Sequence, residues 1–192
     1  MSKEIVKLCF LAGCLSLASV AAPAQEVVHA LTGTVVSIDA SAKTITVYTD
    51  DRSEGLFKDM TNPNTRIEFD KSLRIDATAA DTFKKIGAYS IIFFYGGGDT
   101  RTAVAIRALG SGPFAKYTGK IVAVENKNSI SVSDGSGSIQ SFKLTPDTVA
   151  ETDHGAVGGF KFQPHKGDQV RVTSAVINGS ETALFINTLI AN

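Results

Sequence analysis

The sequence has no tryptophan, and its only two cysteines, Cys9 and Cys14, fall within the first 14 of 192 residues. Methionine is almost as scarce, with two residues. If the N-terminal segment is removed, the remaining chain has no thiol chemistry, no disulfide and no cysteine-bound metal, so its stability rests on packing. Excess charge is also missing: Lys plus Arg and Asp plus Glu each number 19. That balance excludes the broad basic footprint that duplex nucleic acid demands, so no nucleic-acid partner is expected. Long hydrophobic runs are absent as well. The longest, Leu8 to Ala22, falls short of the roughly 20 residues needed to span a bilayer, and no stable membrane insertion is expected.

That apolar run follows Lys3 and Lys7 and leads into small residues, the pattern of a signal peptide over residues 1–24. Two exit signals compete inside it. Leu11-Ala12-Gly13-Cys14 resembles a lipobox, and Ala22-Pro23-Ala24 fits the small-residue site of ordinary secretion. Cutting at Cys14 would leave LSLASVAAPAQ behind it, more apolar than a tether, so cleavage after Ala24 is expected. The expected address is periplasmic or secreted, with lipoprotein anchoring through Cys14 as the alternative. Removing residues 1–24 leaves 17 basic and 18 acidic side chains.

What is present is a repeat. TGTVVSIDASAKTITVYTDD from residue 32 matches TGKIVAVENKNSISVSDGSG from residue 118, pairing Gly33 with Gly119, Val36 with Val122, Ile45 with Ile130 and Val47 with Val132. Phe57-Lys58 matches Phe142-Lys143, and Asn62-Pro63-Asn64-Thr65 matches Thr145-Pro146-Asp147-Thr148. Gly87 to Leu109 and Gly167 to Leu189 run in step at an offset of 80. The pattern reads as an internal duplication: a first repeat over 25–110 and a second over 111–192, joined by GSGPFAK at 110–116.

Each copy reads as an antiparallel β unit. In the first, the runs 31–38, 44–49 and 54–58 are rich in Val, Ile, Thr and Tyr, and 88–95 joins 100–109 through Gly96-Gly97-Gly98-Asp99. In the second, Asn178-Gly179 and Asp134-Gly135 are strong hairpin signals. About 85 residues suffice for one small barrel of five or so strands, with a short helical or irregular segment before the fourth. The expected fold class is therefore all-β: two tandem small antiparallel β-barrels.

GKIVAVENKNSISVSDGSGSIQSFKLTPDT, followed by HKGDQVRVTSAVINGSETALFI, resembles the small OB-like barrels of secreted bacterial proteins, many of unknown function. Its strand rhythm is also similar to that of the periplasmic copper-chaperone barrel. That second resemblance implies a copper site of methionine and histidine beside a tryptophan. With no tryptophan, and Met60 as the one methionine after residue 24, the metal ligands are not matched.

Other candidate sites carry little chemistry. His154 and His165 flank a glycine-rich loop and, with Asp153, offer imidazole and carboxylate to a divalent metal, but such histidines more often face solvent. Asp50, Asp51, Glu54 and Asp59 cluster around the second turn without the spacing or glycine of a Ca²⁺ loop, and read as a solvated turn. Asn178-Gly179-Ser180 is a glycosylation sequon that is more simply a hairpin. Gly96-Gly97-Gly98 joins two strands and opens no helix, so it is not a phosphate loop. No catalytic motif and no cofactor motif is found.

The two copies differ in strand four. In the second, Val170 and Val172 are expected to face the core, with Gln169, Arg171 and Thr173 outward. The offset of 80 makes the outward positions of the first copy Tyr89, Ile91, Phe93 and Tyr95, and Tyr48 replaces Ser133 on strand two. Tyr48, Tyr89, Ile91, Phe93 and Tyr95 thus form a candidate apolar stripe, the one candidate binding site. Three covers are open to it: the copy's own segment 71–86 with Leu73, Ile75, Phe83 and Ile86; the sister barrel, using Phe185; or an external ligand or partner. The expected function is an exported, non-catalytic binding or assembly module acting on a cell-envelope protein or ligand. The alternatives are a periplasmic metal-binding protein and an enzyme whose residues converge only in space.

Overall fold

The computed structural model describes residues 26–59, 69–75, 83–126 and 128–189. The segment 1–24 read as a signal peptide, Met60, Asn62-Pro63-Asn64-Thr65 and residues 76–82 of the 71–86 segment expected over the stripe lie outside the described residues. Apart from one 3₁₀ turn at Gly98–Thr100, every regular element described is a β-strand, and the strands form two sheets. No helix among the described residues is long and apolar enough to cross a membrane.

The first sheet holds β1 (His29–Asp39), β2 (Thr44–Thr49), β3 (Glu54–Asp59), β4 (Tyr89–Tyr95) and β5 (Thr102–Gly110). In the order β1-β2-β3-β5-β4, with β4 returning to β1, each strand is paired on both sides and the sheet closes on itself. Closure leaves no free edge to recruit another strand. The second sheet holds β6 (Ala115–Glu125), β7 (Ser129–Ser133), β8 (Ile139–Lys143), β9 (Val149–Thr152), β10 (Gly155–Gly158), β11 (Gln169–Ile177) and β12 (Ser180–Leu189). Its order is β10-β9-β12-β11-β6-β7-β8, and β12 also meets β8.

Without β9 and β10, the second sheet repeats the first in detail. The parallel junction sets Lys58 against Thr102 in one sheet and Lys143 against Thr182 in the other. The pairing of β1 with β2 slips between Val35 and Ser37, and that of β6 with β7 between Ile121 and Ala123. Beside each slip, a backbone N–H donates across the bend: Val35 to the Ala88 carbonyl at 3.1 Å, and Ile121 to that of Asp168 at 2.9 Å. A bulge at this point sharpens the strand's twist and lets one long strand serve both halves of a closed sheet.

The strand runs read from the sequence agree with the observed strands to within about two residues at each end. The Asn178-Gly179 turn has φ of 50° and 75°, the doubly positive geometry of a two-residue hairpin. The connection between the sheets is shorter than GSGPFAK, because β5 runs to Gly110 and β6 begins at Ala115.

Among the described residues, three apolar clusters hold the molecule. One lies inside the first sheet, around Val35, Val47, Phe57, Ile92 and Ile106. A second lies inside the other sheet, around Ile121, Phe142, Leu144, Val172 and Ile186. The third lies between the sheets and takes residues from both.

Candidate binding site

The third cluster is where the predicted stripe goes, and it splits the stripe. Ile91 and Phe93, on the outer side of β4, are fully buried with Val28 just ahead of β1, with Ala30 and Ala105 of their own sheet, and with Val149, Ala156 and Phe185 of the other. Leu73 packs there too, with Phe69 and Ile75 half-buried around it. Two of the three anticipated covers therefore act together, and neither alone. Phe83 instead enters the core of the first sheet, and Ile86 stays 63% exposed. Tyr95 is half-exposed at the end of β4, and Tyr48 on β2 is 46% exposed. The five stripe residues are thus not one open face: the centre is consumed by the seam, and Tyr48 stands apart on the outer wall.

Polar side chains border this seam. Asp50, just after β2, is the densest node: its carboxylate accepts from the Thr32 hydroxyl at 2.8 Å, the Tyr89 phenol at 2.5 Å and the Lys116 ammonium at 2.6 Å. Lys116 also lies 5.0 Å above the Tyr89 ring, and Phe114 packs tilted against that ring. Burial, and then the hydrogen bond to Asp50, push the Tyr89 phenol well above its ordinary range, so it stays protonated as a donor. Thr173 was expected to face outward. It does so relative to its own sheet, but it is 1% exposed because Tyr89 and Asp50 cover it. The solvated reading of the acidic cluster fails in the same way at Asp50. Asp51 is absorbed locally, with its carboxyl held below the usual range by hydrogen bonds from Thr49 and Ser53.

Across the seam, Glu151 of β9 accepts from the Ala30 N–H at 2.7 Å and pairs with His29 Nδ1 at 2.6 Å. Burial outweighs the His29 and Ala30 hydrogen bonds and raises the Glu151 carboxyl above its ordinary range. The Ser72 hydroxyl accepts from the Gly158 N–H at 2.8 Å, and Val28 offers its carbonyl to the Ala156 N–H at 2.8 Å. His154 and His165 sit on separate exposed turns, each beside one aspartate, at 3.5 and 3.7 Å. No group of three or more His, Cys, Asp or Glu gathers to hold a metal among the described residues.

Concave surfaces also lie outside the seam. A groove of about 550 Å³ runs between the inter-sheet connection and the β11–β12 hairpin, lined by Leu109, Pro113, Phe114, Val176, Ile177 and Leu184. Val176 is 69% and Ile177 43% exposed on its wall. A second cavity, of about 390 Å³, opens at the end of the first sheet beside Phe57 and Phe83. Sequence reasoning missed the groove and the Asp50 and Glu151 nodes, whose members come together from strands distant in sequence, and the second cavity, which lies at the end of the first sheet. The chain matches no known protein-family profile and no curated protein.

Proposed function

We propose that this chain is an exported, non-catalytic binding or assembly module built from two tandem OB-like barrels that arose by duplication. The shared strand order, the matched slips of β1 and β6, and the matched parallel junctions support the duplication. A five-stranded closed sheet ordered 1-2-3-5-4 supports the OB-like reading. Cleavage after Ala24 and a periplasmic or secreted address complete the proposal.

The observation that carries the binding reading is the groove between the connection and the β11–β12 hairpin. Its volume is that of a typical recognition site, and it keeps large apolar side chains in solvent on a seam-braced scaffold. A cell-envelope protein with an apolar contact segment is the partner that suits it. A photo-reactive residue at position 176, introduced in exporting cells, should give a discrete adduct that Ile177→Asp abolishes and Val124→Asp leaves unchanged. No adduct, or one indifferent to Ile177→Asp, counts against the proposal. Intact-mass measurement of the exported chain should give an N-terminus at Gln25.

A further inference from the structure

The β4–β5 and β11–β12 hairpins are equivalent in the two sheets, and their pairing follows the offset of 80. Phe94 faces Ala103 and Tyr95 faces Thr102 in the first; Ser174 faces Ala183 and Ala175 faces Thr182 in the second. Both pairings slip just before this point, after Phe93 and after Thr173. Beyond it the first copy runs into Gly96 and Gly97, whereas the second continues as strand through Val176 and Ile177. Val176 and Ile177 stand in solvent where the sister copy has glycine, so the shared fold does not itself require apolar side chains there.

The polar side chains change with them. Ser174, fully buried, takes the place of Phe94, and Glu181 takes that of Arg101. The Ser174 hydroxyl donates to Glu181 Oε1 at 2.5 Å, which fixes the carboxylate on the wall of the groove. Glu181 is the one charged side chain among the described residues lining this groove, and no described cation pairs with it. An anion held among Phe114, Val176 and Leu184 selects a cation with apolar neighbours, because a charge-assisted bond is stronger where bulk water is displaced. The backbone adds a second preference. β6 pairs with β11 only as far as Ala115 with Ser174, while β12 stays paired out to Ile177. Among the described residues no backbone hydrogen bond joins 111–114 to 175–177, so the groove runs along a free strand edge. An extended peptide can supply backbone partners to such an edge, which favours it over a small amphiphile.

We infer that the groove takes an extended segment of a partner protein in which a lysine or arginine, flanked by apolar residues, meets Glu181. This rests on the groove being the recognition site and adds what it recognises. The test pans a phage-displayed library of short random linear peptides on the full chain from Gln25, with Ile177→Asp, Glu181→Gln and Glu181→Lys panned in parallel. Peptides enriched on the parent should carry Lys or Arg between apolar residues, and a synthetic peptide of that sequence should bind Glu181→Gln at least about tenfold more weakly. Glu181→Gln keeps an acceptor for Ser174, so that loss reads the charge and not the packing. Glu181→Lys should turn the preference to Asp or Glu, a reversal that no purely structural role produces. No enrichment on the parent, or equal enrichment on Ile177→Asp, overturns the groove reading and this inference with it. Peptides that need Ile177 but show no basic preference, or that bind Glu181→Gln undiminished, overturn the inference alone.

Discussion

Lys116 at the start of β6 holds Asp50 of the first sheet at 2.6 Å, 66 residues away in sequence, and so ties the first strand of one sheet to the turn that follows β2 of the other. The carboxylate it meets is only 10% exposed, whereas Lys116 is 47% exposed. Most of the energy of this node therefore lies in the sheltered donors, Thr32 and Tyr89, because a half-exposed ammonium is screened by water. Removing the acceptor leaves both donors short of a partner at the seam, and buried groups left unpaired cost about 1–3 kcal/mol each. Asp50→Ala should lower the unfolding free energy by about 2 kcal/mol or more in denaturant melts. A change below about 0.5 kcal/mol would show that the node is ornamental.

Phe93 and Tyr48 were placed on one stripe by sequence, and the structure gives them opposite weights. Phe93→Ala should cost about 3–5 kcal/mol, since it empties a site packed from both sheets. Tyr48→Ala should stay within about 0.5 kcal/mol. Equal losses in paired chemical melts would contradict the division of the stripe.

Glu151 sets a pH dependence. Its folded carboxyl keeps a proton to higher pH than the ordinary value of 4.5, so in that interval the native state binds more protons than the unfolded one, and stability falls as pH rises. Glu151→Gln removes this term. The stability of the parent relative to the variant should therefore decline as pH rises above 4.5 in melts at matched ionic strength. A difference that stays flat or grows across that range would refute the assignment.

Gly33 and Gly119 fill equivalent places in β1 and β6 for a steric reason. A Cβ on Gly119 would lie 2.1 Å from the Ser133 carbonyl oxygen, and one on Gly33 would lie 2.5 Å from that of Tyr48. Neither neighbour can yield without breaking a strand pair. Gly119→Ala should cost roughly 2 kcal/mol or more, while Gly135→Ala, with nothing within 4 Å of the added carbon, should be near neutral by thermal melting.

Much of this architecture was legible because strands announce themselves locally. Thr44–Thr49 alternates Ile45 and Val47 inward with Thr46 and Tyr48 outward, and Asn178-Gly179 is a turn by composition alone. The repeat also exposed the odd strand, β4, whose outward face is as apolar as its inward one, which marks a strand buried on both sides. Its cover was not legible. Alternation says which way Phe93 points, but only docking geometry brings Phe185 and Ala156 to it, across more than 60 residues. Asp50 was misread for a related reason: on its own hairpin it is a turn aspartate, and the partners that make it a node come from β1, β4, β6 and β11.

The bond from the Ala156 N–H to the Val28 carbonyl bears on the order in which the molecule can assemble. Val28 is among the first described residues and Ala156 lies 128 positions later, with the whole first sheet between them. Closing so long a loop is slow relative to forming any hairpin in either sheet, because the entropy of closure must be met before the contact gives anything back. A chain emerging N-terminus first can pair β2 with β3 early, but the docking of its opening segment must wait for β9 and β10. Ile91 and Phe93 stay uncovered on one side for that interval, which makes the half-made molecule more adhesive than the finished one.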